Sequence, residues 1–409
     1  MQELNVIIVC DYAFTNGGAE KVAIESALGL AAKGINVIYF SAVGPIDERM
    51  LECENIEVIC LGQSDLKGNS NKFKGFIQGI WNQEAKKQFD TLLKRFSNEN
   101  TIIHAHLWQK GLSSSIFYNV IRKNYKIIFT MHHYFLSCPN GGFYDYQKNK
   151  ICNCKALTTK CIFKHCDSRG YIFKIFRLIR MLVEKKIVKL QSSIKHFIVI
   201  SDLGYQVSKD TLSLDAKFYP LNNPFNINRE KKVDIAKNKY YIFVGRLSVE
   251  KGVIKLAEMS KLLNLEVVIV GDGPEREKME EINPNLKFVG WVTPEEVKGY
   301  IKNSRAMIFP TLWYEGMPMS ILECFSQGVP AIIPHTCAAT QVVKHLETGF
   351  VYKQNDFESF KECISSAENN DLLTKISQNS FNYFWDSDYS LEKHCHKLIS
   401  IYYDTLEGN

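Results

Sequence analysis

The feature that most constrains the fold of this chain is an alternation of short apolar runs with longer amphipathic segments, which occurs twice. In the first half, β-branched apolar runs occur at 4–10, 35–40, 102–105, 126–130 and 196–200. Between the first two runs, the segment 19–33 places apolar residues at the spacing of a helix. This order of strand, helix and strand predicts a parallel, doubly wound sheet.

The same alternation restarts after Tyr219–Phe225, a segment whose two prolines and two asparagines predict a linker. Apolar runs then follow at 240–244, 265–270, 305–309 and 330–333, with a helical pattern at 251–263. We therefore expect an α/β protein with two Rossmann-like, doubly wound domains facing across a cleft. The predicted division is an N-terminal domain at 1–218, a C-terminal domain at 219–380 and a C-terminal helix at 381–409 that packs back on the N-terminal domain.

Composition excludes several other classes of protein. With 409 residues, of which 45% are hydrophobic and 23% charged, the chain is neither disordered nor a fibrous repeat. The uncharged run 324–343 is interrupted by glycine and proline, so no membrane span is expected. The first residues lack a basic segment, and Val6–Cys10 is too short for the apolar part of a signal peptide. We expect a soluble cytoplasmic protein.

Positive charge is concentrated in one window of the chain. Residues 155–195 contain eleven Lys and Arg against only Asp167 and Glu184. Within 171–190, Lys174, Arg177 and Arg180 recur at helical spacing, with apolar residues on the other face. This pattern predicts a basic amphipathic helix at the inner face of the plasma membrane. The alternative is a helix that packs on its own domain with a solvated basic face. Nucleic acid is not an expected partner, because no nucleic-acid module accompanies the charge.

The same region, an insertion at about 138–190, is rich in cysteine. Cys152, Cys154, Cys161 and Cys166 lie close enough in sequence to form a tetrahedral zinc site with a structural role. Their spacing lacks a C-x-x-C pair, so free thiols are an equal alternative.

Two loops after predicted strands have the chemistry of a phosphate site. Gly17 and Gly18 stand between the first strand and helix, where a bare backbone and a helix N-terminus favour an anion. Gly245, Arg246 and Lys251 follow the first strand of the second half. An arginine and a lysine together can hold a diphosphate and stabilise it as a leaving group without a metal. Tight turns with surface cations are the alternative for both loops.

A third loop contains two carboxylates, Glu315 and Glu323, separated by seven residues. A carboxylate accepts hydrogen bonds from two vicinal hydroxyls, so Glu323 is a candidate for a ribose and Glu315 for a hexose. The amides at Gly316 and Met317, at the start of the next helix, are candidates for phosphate contacts. The alternative is an acidic residue at a helix N-terminus and a surface glutamate.

These motifs together resemble those of the retaining glycosyltransferases of family 4, the glycosyl transferases group 1 type with the GT-B fold. The resemblance covers the whole chain and rests on five motifs in the family's order, namely 17–20, 245–252, 270–274, 288–292 and the pair Glu315 and Glu323.

The resemblance implies that the C-terminal domain binds a nucleoside diphosphate sugar, with UDP favoured and GDP as the other candidate. Arg246 and Lys251 would hold the diphosphate, Glu323 the ribose, and Glu315 the sugar. Main-chain groups at Gly290, Trp291 and Val292 would contact the base, and Gly17 and Gly18 would approach the β-phosphate. No cofactor would be required for catalysis.

The N-terminal domain would bind the acceptor. His104 and His106 lie on one side of an extended segment. The family often has a histidine at the second position, so we expect His106 to act at the attacking hydroxyl and His132 to lie on the acceptor side. A structural histidine is the alternative for His106. At His133 the chain departs from the family's usual His-Asp pattern.

We therefore expect a retaining hexosyltransferase that acts on a lipid-linked saccharide in the biosynthesis of surface polysaccharide, capsule or O-antigen. One alternative is a sugar-nucleotide epimerase of the same fold, against which the intact pair Glu315 and Glu323 counts. The other is a non-catalytic donor-binding partner of another transferase, whose expected mark is loss of Arg246, Lys251 or Glu323.

Overall fold

The structure is a computed structural model that describes residues 4–66, 68–69 and 71–408, without the side chain of Lys72. The strands are β1 Asn5–Val9, β2 Asn36–Ser41, β3 Ile56–Cys60, β4 Thr101–Ala105, β5 Lys126–Thr130, β6 Tyr144–Asp145, β7 Lys150–Ile151, β8 His196–Val199, β9 Lys217–Pro220, β10 Tyr240–Val244, β11 Val267–Val270, β12 Lys287–Gly290, β13 Ser304–Ile308, β14 Ala331–Pro334 and β15 Gly349–Tyr352.

The helices are α1 Gly18–Ala31, α2 Glu48–Leu51, α3 Lys72–Ile80, α4 Gln83–Leu93, α5 Phe117–Arg122, α6 Thr159–Ile162, α7 Tyr171–Leu182, α8 Leu190–Ser193, α9 Asp202–Ser208, α10 Val253–Leu262, α11 Arg276–Ile282, α12 Pro294–Lys302, α13 Met319–Gln327, α14 Phe357–Glu368, α15 Asn370–Asp386 and α16 Leu391–Glu407. A π-helical segment, Val183–Val188, continues α7. Among the helices of the described part, none has the combined length and apolar character that a membrane-crossing segment needs.

Within the described residues, the strands form two parallel sheets and one small hairpin. The N-terminal sheet has the order β3-β2-β1-β4-β5-β8-β9, and the C-terminal sheet has the order β12-β11-β10-β13-β14-β15. In each sheet, later strands lie on both sides of the first strand of that domain, so the direction of winding reverses there, as in doubly wound folds. This confirms the predicted α/β class with two Rossmann-like domains. The hairpin pairs β6 with β7 inside the cysteine-rich insertion.

The N-terminal sheet is covered on both faces because its strands are apolar throughout. Every residue of β1 is buried. Val6 and Ile8 pack with α1 and α16, while Ile7 and Val9 point to the opposite layer, which contains Phe89 of α4. Successive side chains of a strand point to opposite faces, so an uninterrupted apolar run needs a layer on each side.

The chain crosses between the domains twice at neighbouring points. The predicted linker overlaps β9, which extends the N-terminal sheet to Pro220 at its edge. The return crossing lies at 387–390, where the Tyr389 carbonyl accepts a hydrogen bond from the Phe225 amide at 2.7 Å. The segment predicted as one helix from 381 therefore contains the end of α15, which packs on the C-terminal domain, and the whole of α16.

The helix α16 packs on the N-terminal domain against α1. Leu398 and Tyr402 are fully buried there. The Tyr402 hydroxyl lies 2.7 Å from Nδ1 of the buried His104 at the end of β4. A side chain from the last helix therefore reaches the strand edge that carries the candidate acceptor-side histidines.

The orientation of α7 does not present a basic face, either to a membrane as predicted or to solvent as in the alternative. Lys174 is 1% exposed and Arg180 is 5% exposed. Nε of Arg177 forms an ion pair with the buried carboxylate of Asp167 at 2.7 Å. Arg180 donates a hydrogen bond to the Gln109 carbonyl at 3.1 Å. These cations point inward because buried partners on neighbouring loops satisfy them, whereas Ile172, Ile175 and Ile179 of α7 are exposed.

The close packing of α16 on α1 can be tested at Gly29. A Cβ at this position would lie 2.5 Å from the Cys395 sulfur, whereas a Cβ at Gly299 in α12 would meet nothing within 4 Å. Gly29→Ala should therefore lower the free energy of unfolding by about 1 kcal/mol or more through overpacking. The matched change Gly299→Ala should raise it by about 0.5–1 kcal/mol, because alanine is the better helix former. Chemical denaturation measures both, and stabilisation by Gly29→Ala would contradict the packing described.

Candidate active site

The candidate site lies where the loops after β1, β4 and β5 face the C-terminal domain. A Cβ at Gly18, at the start of α1, would lie 3.5 Å from the Met319 sulfur at the start of α13. The Tyr134 hydroxyl donates a hydrogen bond to the Glu315 carbonyl at 2.9 Å. These contacts bring together the carboxyl ends of both sheets, which is where ligands bind in open α/β folds.

Two glycines set the shape of the C-terminal side of the cleft. Gly252 has φ of +71°, and a Cβ there would collide with the Pro310 carbonyl oxygen after β13. The turn that contains Lys251 can therefore approach the Pro310–Glu315 loop closely. A Cβ at Gly271 would likewise collide with the Gly245 carbonyl oxygen, so the loops after β10 and β11 are in contact.

Glu315 is held firmly at the centre of the site. It is 7% exposed. Its Oε1 accepts hydrogen bonds from Nζ of Lys251 at 2.8 Å, Oγ1 of Thr311 at 2.9 Å and Nε1 of Trp313 at 2.6 Å. Three donors on one oxygen fix the carboxylate in position. Thr311 and Trp313 stand within the motif, but their role in holding Glu315 was not predicted.

Glu323 forms an ion pair that crosses the cleft. Nζ of Lys21 on α1 lies 2.8 Å from Oε1 of Glu323 on α13, and the two side chains are 34% and 28% exposed. Sequence reasoning missed Lys21, although it directly follows the Gly-Gly-Ala-Glu motif that begins α1. A pair separated by 302 residues leaves no signal in local spacing.

The other residues predicted to bind the donor differ in whether their side chains are exposed or packed against the core. Arg246 is exposed, and within the described residues it makes no ion pair or hydrogen bond with its side chain. Trp291 is 74% exposed and follows Gly290, whose φ is +83°. Met317 and Val292 pack against the C-terminal core, so only their main-chain groups can face a ligand.

The histidines at the ends of β4 and β5 form a cluster in which His104 and His106 are buried and His132 is partly buried. Nδ1 of His106 lies 2.9 Å from Nε2 of His132. Nε2 of His106 is buried and has no hydrogen-bond partner among the described residues. Burial lowers the pKa of His132 to about 3 and holds the pKa of His106 well below its usual value. Both rings are therefore neutral at neutral pH. Gly316 lies beside the His132 carbonyl, so the cluster adjoins the Glu315 loop.

The predicted zinc ligands do not converge. Nζ of Lys174 lies 3.5 Å from the Cys161 sulfur and 3.3 Å from the Cys166 sulfur. Nζ of Lys164 lies 3.4 Å from the Cys152 sulfur. In the described ranges, no group of three His, Cys, Asp or Glu side chains is arranged to hold a metal ion. The ammonium of Lys174 lies against two of the thiols, so the geometry does not fit the predicted structural zinc site of Cys152, Cys154, Cys161 and Cys166.

The neutral histidines predict how stability depends on pH. A histidine with a lowered pKa stabilises the fold above its unfolded pKa of about 6.5, and this contribution is lost as pH falls. Between pH 6.5 and 5.5, His132 should account for a loss of about 1 kcal/mol in the free energy of unfolding. His132→Gln should therefore reduce the pH dependence in this range by about one proton, as measured by chemical denaturation. An unchanged slope would mean that His132 is accessible to protons in the folded chain.

Comparison with known proteins agrees with this architecture. Residues 225–383 match the family described as glycosyl transferases group 1. An Escherichia coli UDP-Gal:alpha-D-GlcNAc-diphosphoundecaprenol alpha-1,3-galactosyltransferase is 30% identical over 205 residues, which cover 46% of this chain and 52% of that protein. The Staphylococcus aureus capsular polysaccharide biosynthesis glycosyltransferase CapM is 24% identical over 223 residues, covering 50% of this chain and 57% of that protein. The chain thus spans about half the length of these curated relatives.

Solved structures extend the similarity of fold to nearly the whole chain. Sucrose-phosphate synthase from Thermosynechococcus elongatus has a TM-score of 0.73 at 15% identity and covers 100% of both chains. The Anabaena protein HepE in complex with UDP and glucose has a TM-score of 0.66 at 13% identity and covers 97% of this chain and 99% of that one. Residues 225–383 therefore match the glycosyl transferases group 1, and the chain has the GT-B fold over nearly its whole length.

Proposed function

We propose that the chain is a retaining glycosyltransferase that moves a hexose-type sugar from a nucleoside diphosphate to a hydroxyl of a saccharide. The observation that carries the proposal is the pairing of Lys251 with Glu315 and of Lys21 with Glu323 in one interdomain cleft. The cleft combines the cations that a diphosphate needs with the carboxylates that sugar hydroxyls need.

The diphosphate is the leaving group in this proposal. Arg246 and Lys251 would bind its oxygens, together with main-chain amides at the start of α13, which Pro318 begins without a side-chain cap. As the glycosidic bond to phosphate breaks, negative charge develops on the diphosphate, and fixed cations stabilise it without reorganising. The guanidinium of Arg246 supports this role. Among the described residues it has no hydrogen-bond or ion-pair partner, so binding a phosphate would not require it to break an existing contact.

Glu315 and His106 would hold the reacting sugars. With Oε1 of Glu315 fixed by three donors, its other oxygen can accept from a hexose hydroxyl. The unpartnered Nε2 of the neutral His106 can accept from or donate to a hydroxyl on the acceptor side. His132 would set the orientation of His106 through the contact between their rings. The sugar carbon that was bonded to the phosphate retains its configuration if the acceptor attacks from the face that the diphosphate leaves.

The donor and acceptor classes are proposed from the relatives. The names of the Escherichia coli galactosyltransferase and of CapM refer to a diphosphoundecaprenol acceptor and to capsular polysaccharide. A relative from Corynebacterium glutamicum, 30% identical over 166 residues, is named as GDP-mannose-dependent. We propose a UDP-sugar as donor, with a GDP-sugar as the alternative, and a lipid-linked saccharide in polysaccharide biosynthesis as acceptor.

Replacement of Lys251 tests the leaving-group role. Lys251→Met should lower the rate of sugar transfer by roughly a hundredfold or more, because one donor to the developing charge is removed. The exposed Lys255, four residues along at the start of α10, pairs with Glu258 and provides the matched control Lys255→Met, which should retain activity. The assay follows release of UDP or GDP from a panel of nucleotide sugars with saccharide acceptors.

Three results would contradict the proposed activity. Equal rates for Lys251→Met and Lys255→Met would remove the leaving-group role. Conversion of a nucleotide sugar without any acceptor would indicate an epimerase. Donor binding in a thermal-shift assay, without transfer to any lipid-linked or free saccharide, would favour a non-catalytic binding partner.

We propose, in addition, that the chain docks on an anionic membrane surface through exposed apolar residues rather than through its basic face. The apolar surface, as we call it, consists of Phe73, Phe163, Ile172, Ile175 and Ile179. The segments that carry it are in contact: the rings of Phe76 on α3 and Phe176 on α7 are 4.6 Å apart, and the Tyr171 hydroxyl donates a hydrogen bond to the Ile162 carbonyl at 2.8 Å. Exposed apolar patches of this kind mark interaction sites.

The charge around the apolar surface favours an anionic lipid partner. Exposed cations that flank its residues along the chain are Lys74, Lys160, Arg169, Lys185 and Lys186. The acidic residues of the insertion's basic window, Asp167 and Glu184, are both buried. An apolar face bordered by cations suits insertion at the level of lipid headgroups, with about 1 kcal/mol from each cation near the surface. Arg180 of α7 donates a hydrogen bond to the carbonyl of Gln109, which follows β4. The helix that carries part of the apolar surface therefore lies near the proposed acceptor side of the cleft.

Sedimentation with vesicles tests membrane docking. The triple variant Phe73→Asp, Phe163→Asp, Ile172→Asp changes side chains that are 74%, 79% and 74% exposed, so it should fold normally. It should lose binding to vesicles of phosphatidylglycerol and phosphatidylcholine that the unaltered chain binds. The control Leu51→Asp, Leu214→Asp, Leu262→Asp makes the same charge change at exposed leucines elsewhere and should still bind.

Equal vesicle binding by both triple variants, or none by the unaltered chain, would overturn membrane docking. So would a dimer that the first variant converts to a monomer, because the apolar surface would then be an interface between copies.

A further inference from the structure

We propose that Lys21 is a donor-binding residue that leaves Glu323 for the diphosphate when a nucleotide sugar binds. This inference rests on the proposed function and adds to it a cation from the N-terminal domain. Lys21 and Glu323 stand on opposite sides of the cleft, with Nζ and Oε1 separated by 2.8 Å. The donor would thereby be held from both domains, and its arrival would exchange one ion pair for another.

The existing pair is suited to such an exchange. Both side chains are about one third exposed, and exposed ion pairs contribute little to stability. A ribose that donates two hydroxyls to Glu323 would compete with Lys21 for the same carboxylate oxygens. The ammonium would then need another anion. In a nucleoside diphosphate, the ribose is followed directly by two phosphates, so the new partner arrives with the competitor.

The helix ends around Lys21 also favour an anion at this place. Gly17 is the N-cap residue of α1 and Pro318 that of α13, and neither makes a side-chain hydrogen bond to its helix. The two N-termini are neighbours, since the sulfur of Met319 at the start of α13 would lie 3.5 Å from a Cβ built on Gly18. Uncapped amides and the positive ends of two helix dipoles thus face one space, and Lys21 stands in the first turn of α1.

The alternative is that Lys21 only blocks Glu323. The two roles predict opposite changes in the affinity for UDP when Lys21 is removed. If Lys21 binds phosphate, its removal weakens UDP binding but does not weaken uridine binding, since Glu323 becomes free. If Lys21 only competes with the ribose, its removal tightens binding of UDP and uridine alike. Affinity for a nucleoside and for its diphosphate therefore separates the roles.

Isothermal titration of UDP and uridine into the full chain makes the measurement, with GDP and guanosine in parallel. Lys21→Met should weaken UDP binding roughly tenfold or more, the usual effect of losing a charge-assisted hydrogen bond. Lys21→Arg should restore most of the affinity, because a cation returns. The control Lys393→Met removes a lysine of α16 that pairs with Asp388, outside the cleft, and should bind UDP normally.

Tighter or unchanged UDP binding by Lys21→Met would overturn the exchange while leaving the proposed function intact. Lack of UDP and GDP binding by the unaltered chain would overturn the proposed function itself, and the exchange with it. Melting temperatures equal to that of the unaltered chain confirm that Lys21→Met acts on binding rather than on folding.

Discussion

Two lysine–carboxylate pairs at the edge where the domains meet are the basis of the proposed binding site. Lys251 with Glu315, and Lys21 with Glu323, place two cations and two anions within one cleft. Carboxylates alone would repel a diphosphate, and cations alone would not distinguish a sugar from any other phosphate ester. The combination matches a ligand that has both phosphates and vicinal hydroxyls, and the exposed Arg246 adds one more positive charge.

The fold supplies this arrangement through close approach of backbones. Glycine at 252 and at 271 lets the loops after three neighbouring strands touch, which brings Lys251 against Glu315. On the other side, α1 begins with glycine, and the side chain of Met319 at the start of α13 packs close to it. The helix α16 completes the N-terminal domain from the far end of the chain, and its Tyr402 bonds His104 behind the histidine cluster.

Sequence patterns predicted most of the framework because a strand buried on both faces has a distinctive composition. The runs at 126–130 and 240–244 coincide with β5 and β10. Strands at the sheet edges are harder to predict from the sequence. Lys217–Pro220 contains a proline that indicated a linker, and an edge position tolerates it. The spacing of residues along the chain also predicted the loops of the candidate site, because each loop is one continuous segment.

Contacts between distant segments could not be predicted in this way. Helical spacing divided α7 into a basic and an apolar face, but it could not tell which face points inward. That choice depends on Asp167 and Gln109, whose positions follow from the tertiary fold. The cysteines were likewise grouped by sequence distance, while the structure places Lys174 against two of them. Lys21 became a candidate only when its partner across the cleft was known.

Hydrogen–deuterium exchange with and without UDP tests the central claim, that one ligand is held by both domains at this cleft. The account predicts slower exchange in peptides from two separate regions, one covering the start of α1 and the other covering the turn at Lys251 and the start of α13. Protection confined to one domain, or located away from these helix N-termini, would contradict it.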